Sequence, residues 1–532
     1  MKGLAGTGTL FRLILRRDRI LLPIWILWFA ALPTFFATGF EELYPTAAAR
    51  QAFADTAGSN PGLVALYGPL FDSSIGGLLA WRAGIIPVVL AVVSLLTVIR
   101  HTRTEEEAGR RELLGSAVVG RHAPLAAALT ATVAANLVLA ALLALGLISE
   151  DLPVSGSIAL GLSYAAVGGV FAAVAAVAAQ LTESAGTARG LAISVLGLAV
   201  LLRGAGDVSG GGSLSWLSWA SPIGWSQQVR AYADERWWVF ALALCAFVLL
   251  AAVAYALSSR RDVGSGLLPP RPGPPAASPA LHSPLALAWR LHRGLLLGWS
   301  AGFIVMGVMF GGVTESVSEM LDDNPQLQTL FEQLGGRAGL ADAYLAAMMG
   351  LLGLVASGYA IQAALRLRSE EEDLRAQPVL ATAVGRLRWS SSHLIFAFAG
   401  PALTLVVGGL ATGVTYGLSI GDVQKELPRV LGAVLVQLPA AWVLAGITVA
   451  LFGLLPRLAA FASWGVLGVF LLLGQFGELL QLEQWMLDLS PFTHVPNLPG
   501  GEVSAGPLVW LVVVAAALTV AGLFGFHRRD IQ

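Results

Sequence analysis

About twelve stretches of this chain stay apolar over the roughly 20 residues that an α-helix needs to cross the hydrocarbon core of a bilayer. In the first half they lie near 20–40, 76–100, 124–148, 156–181, 188–205 and 237–257. In the second half they lie near 295–313, 341–366, 393–417, 429–455, 457–475 and 507–526. Runs of this kind predict an all-α integral membrane protein. Only 12% of the 532 residues are charged, against about 25% in soluble domains, which excludes a disordered chain, a coiled coil and most soluble folds. The net charge of −1 gives no basic field for nucleic acid. The single cysteine, Cys245, excludes an intrachain disulfide framework and a multi-cysteine metal cluster.

Twelve spans put both termini on one side. With the N-terminus inside, the inner segments collect 24 of the 32 Lys and Arg residues, the bias expected of cytoplasmic loops. Arg16, Arg17 and Arg19 precede the first apolar run without a small-x-small cleavage site after it. The run therefore reads as a retained span, and residues 9–19 as a basic amphipathic segment on the inner surface.

Residues 258–284 interrupt the pattern. Six prolines between Pro269 and Pro279 preclude a helix and predict an extended inner linker, which separates residues 1–257 from 285–532. The flanking halves resemble each other. Glu105–Arg121 aligns without gaps on Glu370–Arg386, with 7 of 17 positions identical. Arg16, Arg19, Leu21, Leu22 and Trp25 match Arg290, Arg293, Leu295, Leu296 and Trp299, and Ser221-Pro222 matches Ser490-Pro491. Three landmarks in one order predict two six-span repeats. An even span number makes them parallel, related about the membrane normal.

Three groups of residues invite a functional reading. The first is the inner charged segment after the second span of each half. Arg103, Glu105, Glu106, Glu107, Arg110 and Arg121 recur as Arg368, Glu370, Glu371, Glu372, Arg375 and Arg386, and Glu112 belongs to the first segment alone. Glu106 with Arg110, Glu107 with Arg111, and Glu371 with Arg375 stand four apart, which predicts pairing along a helix face. Leu113, Leu114 and Val118, or Val379, Leu380 and Ala383, would face protein or membrane. The segment reads either as a solvated loop that anchors topology or as a docking surface. Its recurrence puts docking level with the loop reading, and a partner that binds both copies would be a symmetric dimer. The second group lies in the outer segments 206–236 and 476–506: Trp219, Pro222 and Trp225, then Pro491, Phe492 and His494. These suit an aromatic belt or an outer gate. The third is the large apolar residues of the first and seventh spans, Trp25, Trp28 and Phe29, and Phe303, Met306 and Phe310. They face lipid, pack the core, or line a cavity for an apolar substrate.

Ionisable residues deep in the spans are nearly absent, which argues against an ion-coupled secondary transporter. Arg82 lies 18 residues before Arg100, near the outer interface. No phosphate-binding glycine loop contains Lys2 or Lys425, and the seven histidines show no metal-ligand spacing. No enzyme constellation is present.

The run Arg100-His-Thr-Arg103-Thr-Glu105-Glu-Glu-x-Gly109-Arg110-x-Glu112-Leu-Leu, followed by Val119-Gly120-Arg121, resembles the bacterial ABC-2-type permeases of the polyketide-antibiotic (tetronasin-like) exporter family. Trp219-x-Ser221-Pro222-Ile-Gly224-Trp225 and Ser490-Pro491-Phe492-x-His494-x-Pro496 are similar to that family as well. The resemblance implies the ABC-2-type exporter fold in a bacterial plasma membrane, with both termini cytoplasmic. It implies a non-catalytic permease that binds no cofactor itself, with ATP and magnesium held by a separate homodimeric ATPase, two copies per permease. It further implies amphipathic elbows near 9–19 and 284–294, and coupling segments near 103–121 and 368–386 that dock on the ATPase. In the second segment Leu374 replaces Gly109, and Gln377-Pro378 replaces Glu112-Leu113, so the two docking surfaces are expected to be unequal.

The function expected is export of hydrophobic or amphiphilic compounds such as polyketide antibiotics and drugs. The alternatives are a lipid or glycolipid flippase with the same coupling, and an ATP-independent secondary transporter. The topology is directly testable. After Cys245→Ser, a Ser213→Cys chain is expected to react with a membrane-impermeant maleimide in intact cells. Ser278→Cys is expected to react only after permeabilisation. The reverse pattern would overturn the orientation.

Overall fold

The computed structural model describes residues 2–59, 61–111, 119–210, 212–262, 264–268, 275, 276, 278, 281–319, 336–476, 483–501 and 504–529. Its regular elements are helices, and they fall into two compact units, Met1–Gly273 and Pro274–Gln532. Eleven helical stretches among the described residues are long and apolar enough to cross a membrane. The run near 457–475 forms a shorter apolar helix, Ala459–Gly474. The preceding helix ends at Leu454, before Pro456.

In the first unit, α1 (Thr7–Arg17) and α2 (Leu21–Leu43) are followed by two outer helices, α3 (Ala47–Ser59) and α4 (Pro61–Tyr67). The second span is α5 (Ile75–Arg82), a 3-10 turn and α6 (Ile86–His101), extended by α7 (Arg103–Glu107). Then come α8 (Ala123–Ser149), α9 (Val154–Leu181) and α10 (Ala185–Val208). Two short outer helices, α11 (Trp216–Trp219) and α12 (Pro222–Gln228), lead into α13 (Val239–Ser259). In the second unit, α14 (Pro284–Glu319) and α15 (Gly336–Ala364) are followed by α16 (Arg366–Glu372), α17 (Ala376–Leu380) and α18 (Arg386–Ser419). The unit ends with α19 (Val423–Leu435), α20 (Leu438–Leu454), α21 (Ala459–Phe476), α22 (Gln484–Leu487) and α23 (Ala505–Arg528).

Each unit packs its spans in the same order. The first lies on the third (α2 on α8, α14 on α18), and the second lies on the fourth (α6 on α9, α15 on α20). The fourth lies on the last (α9 on α13, α20 on α23). Lipid offers no hydrophobic drive for such contacts, so close backbone approach through small residues supplies them. Gly161 of α9 faces the Ala140 carbonyl of α8, and Gly453 of α20 and Gly522 of α23 leave no room for a Cβ between their backbones.

The two elbows differ. In the first unit α1 is separate: Leu10 and Ile14 bury against Ala123, Ala127, Ala128 and Ala131. The chain then turns at Asp18, whose carboxylate accepts from His101 Nε2 at 2.6 Å. In the second unit the elbow expected near 284–294 is instead continuous with its span as the 36-residue α14. The position matching Asp18 is His292, which contacts His393 Nδ1 at 3.0 Å and stacks on Phe396. Both of these partners lie on α18, so nothing turns the chain there.

The linker also departs from a solvated spacer at its start. Leu267 and Leu268 donate their amides to the Gln180 and Leu181 carbonyls at 3.3 and 2.9 Å. The run Pro269–Pro274 lies outside the described residues.

Gly453→Val or Gly522→Val is expected to destabilise the protein by about 1–3 kcal/mol through overpacking. A fall in the apparent melting midpoint in detergent would report it. Gly465→Ala, where a Cβ meets nothing within 4 Å, should leave the midpoint unchanged.

Candidate functional site

The charged segment of the first unit begins where α6 breaks at Thr102 and ends where Gly109 turns the backbone left-handed at φ +68°. This short geometry overturns the expected i,i+4 pairing. Glu105 pairs with Arg110, accepting at 2.8 and 2.9 Å, and with Arg17 of α1 at 2.6 Å. Glu106 pairs with Arg111 rather than Arg110. The helix stops at Glu107, so the next arginines lie five residues on rather than one helical turn away. Glu107 accepts from the Ala185 amide at 3.0 Å, at the N-terminus of α10, where unsatisfied amides favour an anion. Glu112, Leu113, Leu114 and Val118 lie outside the described residues.

Glu106 is the buried centre of this segment, its side chain 2% exposed. It accepts from Arg103 at 2.7 Å and, bidentately, from Arg261 at 2.8 and 2.9 Å. Three guanidinium groups around one carboxylate leave excess positive charge, and backbone carbonyls absorb it. Arg103 donates to Glu183, Gly264 and Ser265 oxygens at 2.7, 2.9 and 3.0 Å. Burial, with Arg261, Arg121 and Arg103 nearby, pushes the Arg111 guanidinium down to about 10. Arg121 donates to the Ser258 and Arg261 carbonyls at 3.0 and 2.6 Å.

The second unit uses the same frame with other neighbours. Glu371 pairs with Arg529 rather than Arg375. Arg375 instead reaches Glu370 at 3.2 Å and Asp373. Arg366 and Arg368 pair with Glu370 and Glu372 at 2.8 and 2.7 Å. Arg386 donates to the His527 and Arg529 carbonyls at 3.2 and 2.8 Å. Leu374, in place of Gly109, keeps the left-handed turn at φ +58° and leaves its side chain 55% exposed. Val379 and Leu380 pack on the unit's core, whereas Ala383 is exposed.

At the outer end, Ser221 caps α12, accepting from Ile223 and Gly224 amides while donating to the Ala199 carbonyl of α10 at 2.7 Å. Pro222 opens α12, and Trp225 Nε1 donates to the Trp219 carbonyl at 2.6 Å. Trp219 stacks on Trp238 at 5.5 Å and 11°. Ser490 caps the turn Pro491–His494 in the second unit. There Pro491 is buried, Phe492 packs with Val443 and Leu511, and exposed His494 contacts the Asp488 carbonyl at 2.9 Å.

The large apolar residues of the first and seventh spans separate by face. Trp25 and Phe29 join Leu79, Leu139 and Tyr164 in the first unit's core, and Phe303 joins Leu345 and Leu405 in the second's. Trp28 points outward, 49% exposed, and Met306 and Phe310 are half-buried.

The outer arginines are held locally. Arg203, buried in α10, lies 3.5 Å from Asp207 and donates to the Ala65 and Leu66 carbonyls at 2.8 and 3.1 Å. The four-residue spacing could have disclosed this pair, which ties α10 to the C-terminal end of α4. Arg429 pairs with Asp342 and Glu426. Arg82 lies over the Tyr67 ring. Among the described residues, no three His, Cys, Asp or Glu side chains stand together to hold a metal ion.

Two comparisons with known proteins bear on this arrangement. The family model described as "Multidrug efflux system permease Rv1217c, C-terminal domain" matches residues 281–527. The multidrug efflux system permease protein Rv1217c of Mycobacterium tuberculosis (strain ATCC 25618 / H37Rv) is 45% identical over 531 residues, 100% of this chain and 96% of that protein.

Glu106→Gln would leave buried guanidinium groups uncompensated and is expected to cost about 3–5 kcal/mol. Glu105→Gln, at a more exposed pair, should change stability by less than about 1 kcal/mol. Thermal midpoints of the two variants in detergent check this ranking.

Proposed function

The chain belongs to the family of the multidrug efflux system permease Rv1217c, and from that membership we propose that it is the membrane-embedded, non-catalytic subunit of an ATP-driven exporter of hydrophobic or amphiphilic compounds. Many apolar helices and a permease relative make it a multi-pass membrane protein. In this reading it sits in the bacterial plasma membrane with both termini cytoplasmic, as the arginine bias suggests. Its closer kinship is with the polyketide-antibiotic (tetronasin-like) ABC-2-type permeases that its charged segments resemble. The chain would hold twelve spans as two parallel six-span repeats, the run near 457–475 supplying the twelfth.

One observation carries the proposal. The two charged segments make the same long-range bonds, Glu106 to Arg261 and Glu371 to Arg529, each in its own unit. Two equivalent segments on one chain suit a homodimeric ATPase, which would hold ATP and magnesium. The docking surface is the exposed turn after each short helix: Glu107 to Arg110, and Glu372 to Arg375. Leu374 is its most specific element. A leucine in the left-handed region is strained, and its exposed side chain gains nothing within the unit. Burial in a partner would give that conformation a use. Trp28 is the exposed member of the apolar set and would meet an apolar substrate, whereas Met306 and Phe310 pack on the second unit's core. Trp25, Phe29 and Phe303 serve packing.

Leu374→Gly relaxes the backbone while deleting the side chain. The variant should fold as well as the native protein yet bind the purified ATPase at least five-fold more weakly, as expected when a largely buried leucine is lost. Unchanged affinity would remove Leu374 from the docking surface. Native mass spectrometry of the detergent-extracted complex should show one permease with two ATPase subunits. A permease recovered alone, where a known exporter complex survives the same extraction, would overturn the ATP-driven reading in favour of a secondary transporter.

A further inference from the structure

We propose that Glu106 with Arg261, and Glu371 with Arg529, are positioning pairs that make the last span of each unit a rod carrying the motion of the inner charged segment to the outer turn. The proposal rests on the ATP-driven reading above and adds the path by which the work is transmitted.

The inner attachment is made at two points in both units. Near the start of the charged segment, the second glutamate of the Glu-Glu-Glu run binds the arginine just beyond the last span. Arg261 follows α13, and Arg529 follows α23. At the end of the segment, Arg121 grips the Ser258 and Arg261 carbonyls, and Arg386 grips the His527 and Arg529 carbonyls. The final carbonyls of a helix have no partner within it and carry partial negative charge, so a guanidinium is a matched clamp. Both clamps hold the same few residues at the end of the last span, one by a side chain and one by backbone carbonyls.

These bonds are suited to transmitting force. Glu106, Arg261 and Glu371 are buried, so water does not compete for the charge-assisted bonds, and the planar guanidinium sets their geometry. The surroundings of the two pairs differ almost completely. Arg261 also donates to Gln180 of α9 at 2.8 Å, whereas Arg529 lies over the Phe452 ring of α20 at 4.8 Å. At the position of Arg103, a ligand of Glu106, the second unit has Arg368, which turns to Glu372. At the position of Arg111 it has the buried Ala376. The Glu–Arg pair and the carbonyl clamp are common to both, as is the neighbouring pair Glu105–Arg110, matched by Glu370–Arg375.

The far end of each rod meets the outer turn. Trp238, at the N-terminus of α13, stacks on Trp219 of α11. Leu511 and Ala515 of α23 pack in one cluster with Phe492 of the turn Pro491–His494. A 24-residue α23 is about 36 Å long, enough to connect the two faces of a membrane. Displacement of the charged segment by the ATPase would thus tilt the last span and move the aromatic turn above it.

The test uses the permease–ATPase complex in sealed vesicles, with ATP hydrolysis and uptake of a fluorescent amphiphilic dye read in the same sample. Arg261→Gln with Arg529→Gln is expected to keep ATPase binding and hydrolysis within two-fold, while dye moved per ATP falls at least ten-fold. The reciprocal exchange Glu371→Arg with Arg529→Glu should restore more than half of the loss caused by Arg529→Gln alone. A merely structural role would lower binding, hydrolysis and transport together. That result, or an unchanged transport-to-hydrolysis ratio, overturns the proposal. If the glutamine variants do not fold, Arg529→Lys and the exchange variant decide it. A folded exchange variant that stays uncoupled overturns it. Native complex that hydrolyses ATP without moving any amphiphile, or native permease that moves dye without ATP, would instead sink the exporter reading from which the proposal starts.

Discussion

The inner side of each unit depends on a glutamate that is almost free of water and cannot leave its partners. A carboxylate such as Glu106, 2% exposed, is tolerable only when charge and hydrogen bonds surround it. Here that requirement draws together elements far apart in sequence: the break after α6, the end of α13 and the start of the linker. Arg103 bonded to Gly264 and Ser265 explains why the linker's first residues follow the protein rather than water. Glu107 at the N-terminus of α10 extends the junction to the fifth span. The charged segment is therefore an internal hub with a small exposed rim, not a solvated loop.

The spans were legible because burial in lipid writes itself into sequence as long apolar runs. The run near 457–475 is helical from Ala459, just beyond Pro456. Local charge pairing was less legible. The spacing of Glu106 and Arg110 suggested a helix face, but the left-handed turn at Gly109 ended that face and shifted each bond by one residue. The same turn at Leu374 shows that the backbone was kept where the residue best suited to it was not. The long-range pairs could not be read at all. Arg261 and Arg529 sit just beyond a span, where any inner arginine satisfies topology, and nothing local marks them as ligands of a glutamate more than 150 residues earlier. Ser221-Pro222 and Ser490-Pro491 each open a capped turn, because serine caps and a proline at the first helical position are local rules.

The two units hold the same kind of Glu–Arg pair with different chemistry. The first surrounds its glutamate with three arginines and needs backbone carbonyls to absorb the excess charge. The second pairs Glu371 with one arginine braced against the Phe452 and Phe526 rings, while the buried Glu370 pairs with Arg366 and Arg375. The first is thus a stiff ionic knot, and the second a simpler hinge beside an exposed leucine. The elbows repeat the contrast: α1 is a separate helix tied to Glu105 through Arg17, whereas the second elbow is one rod with its span.

Such inequality has a physical consequence for a symmetric partner. Identical forces applied to both exposed turns would meet unequal resistance, because breaking or tilting a knot of four charged groups requires more than rotating one braced guanidinium. The second unit would yield first, and its last span would carry the earlier displacement toward the turn at Pro491–His494. A chain that fuses two different halves can in this way order the steps of a cycle that a homodimer of identical halves would take in either order.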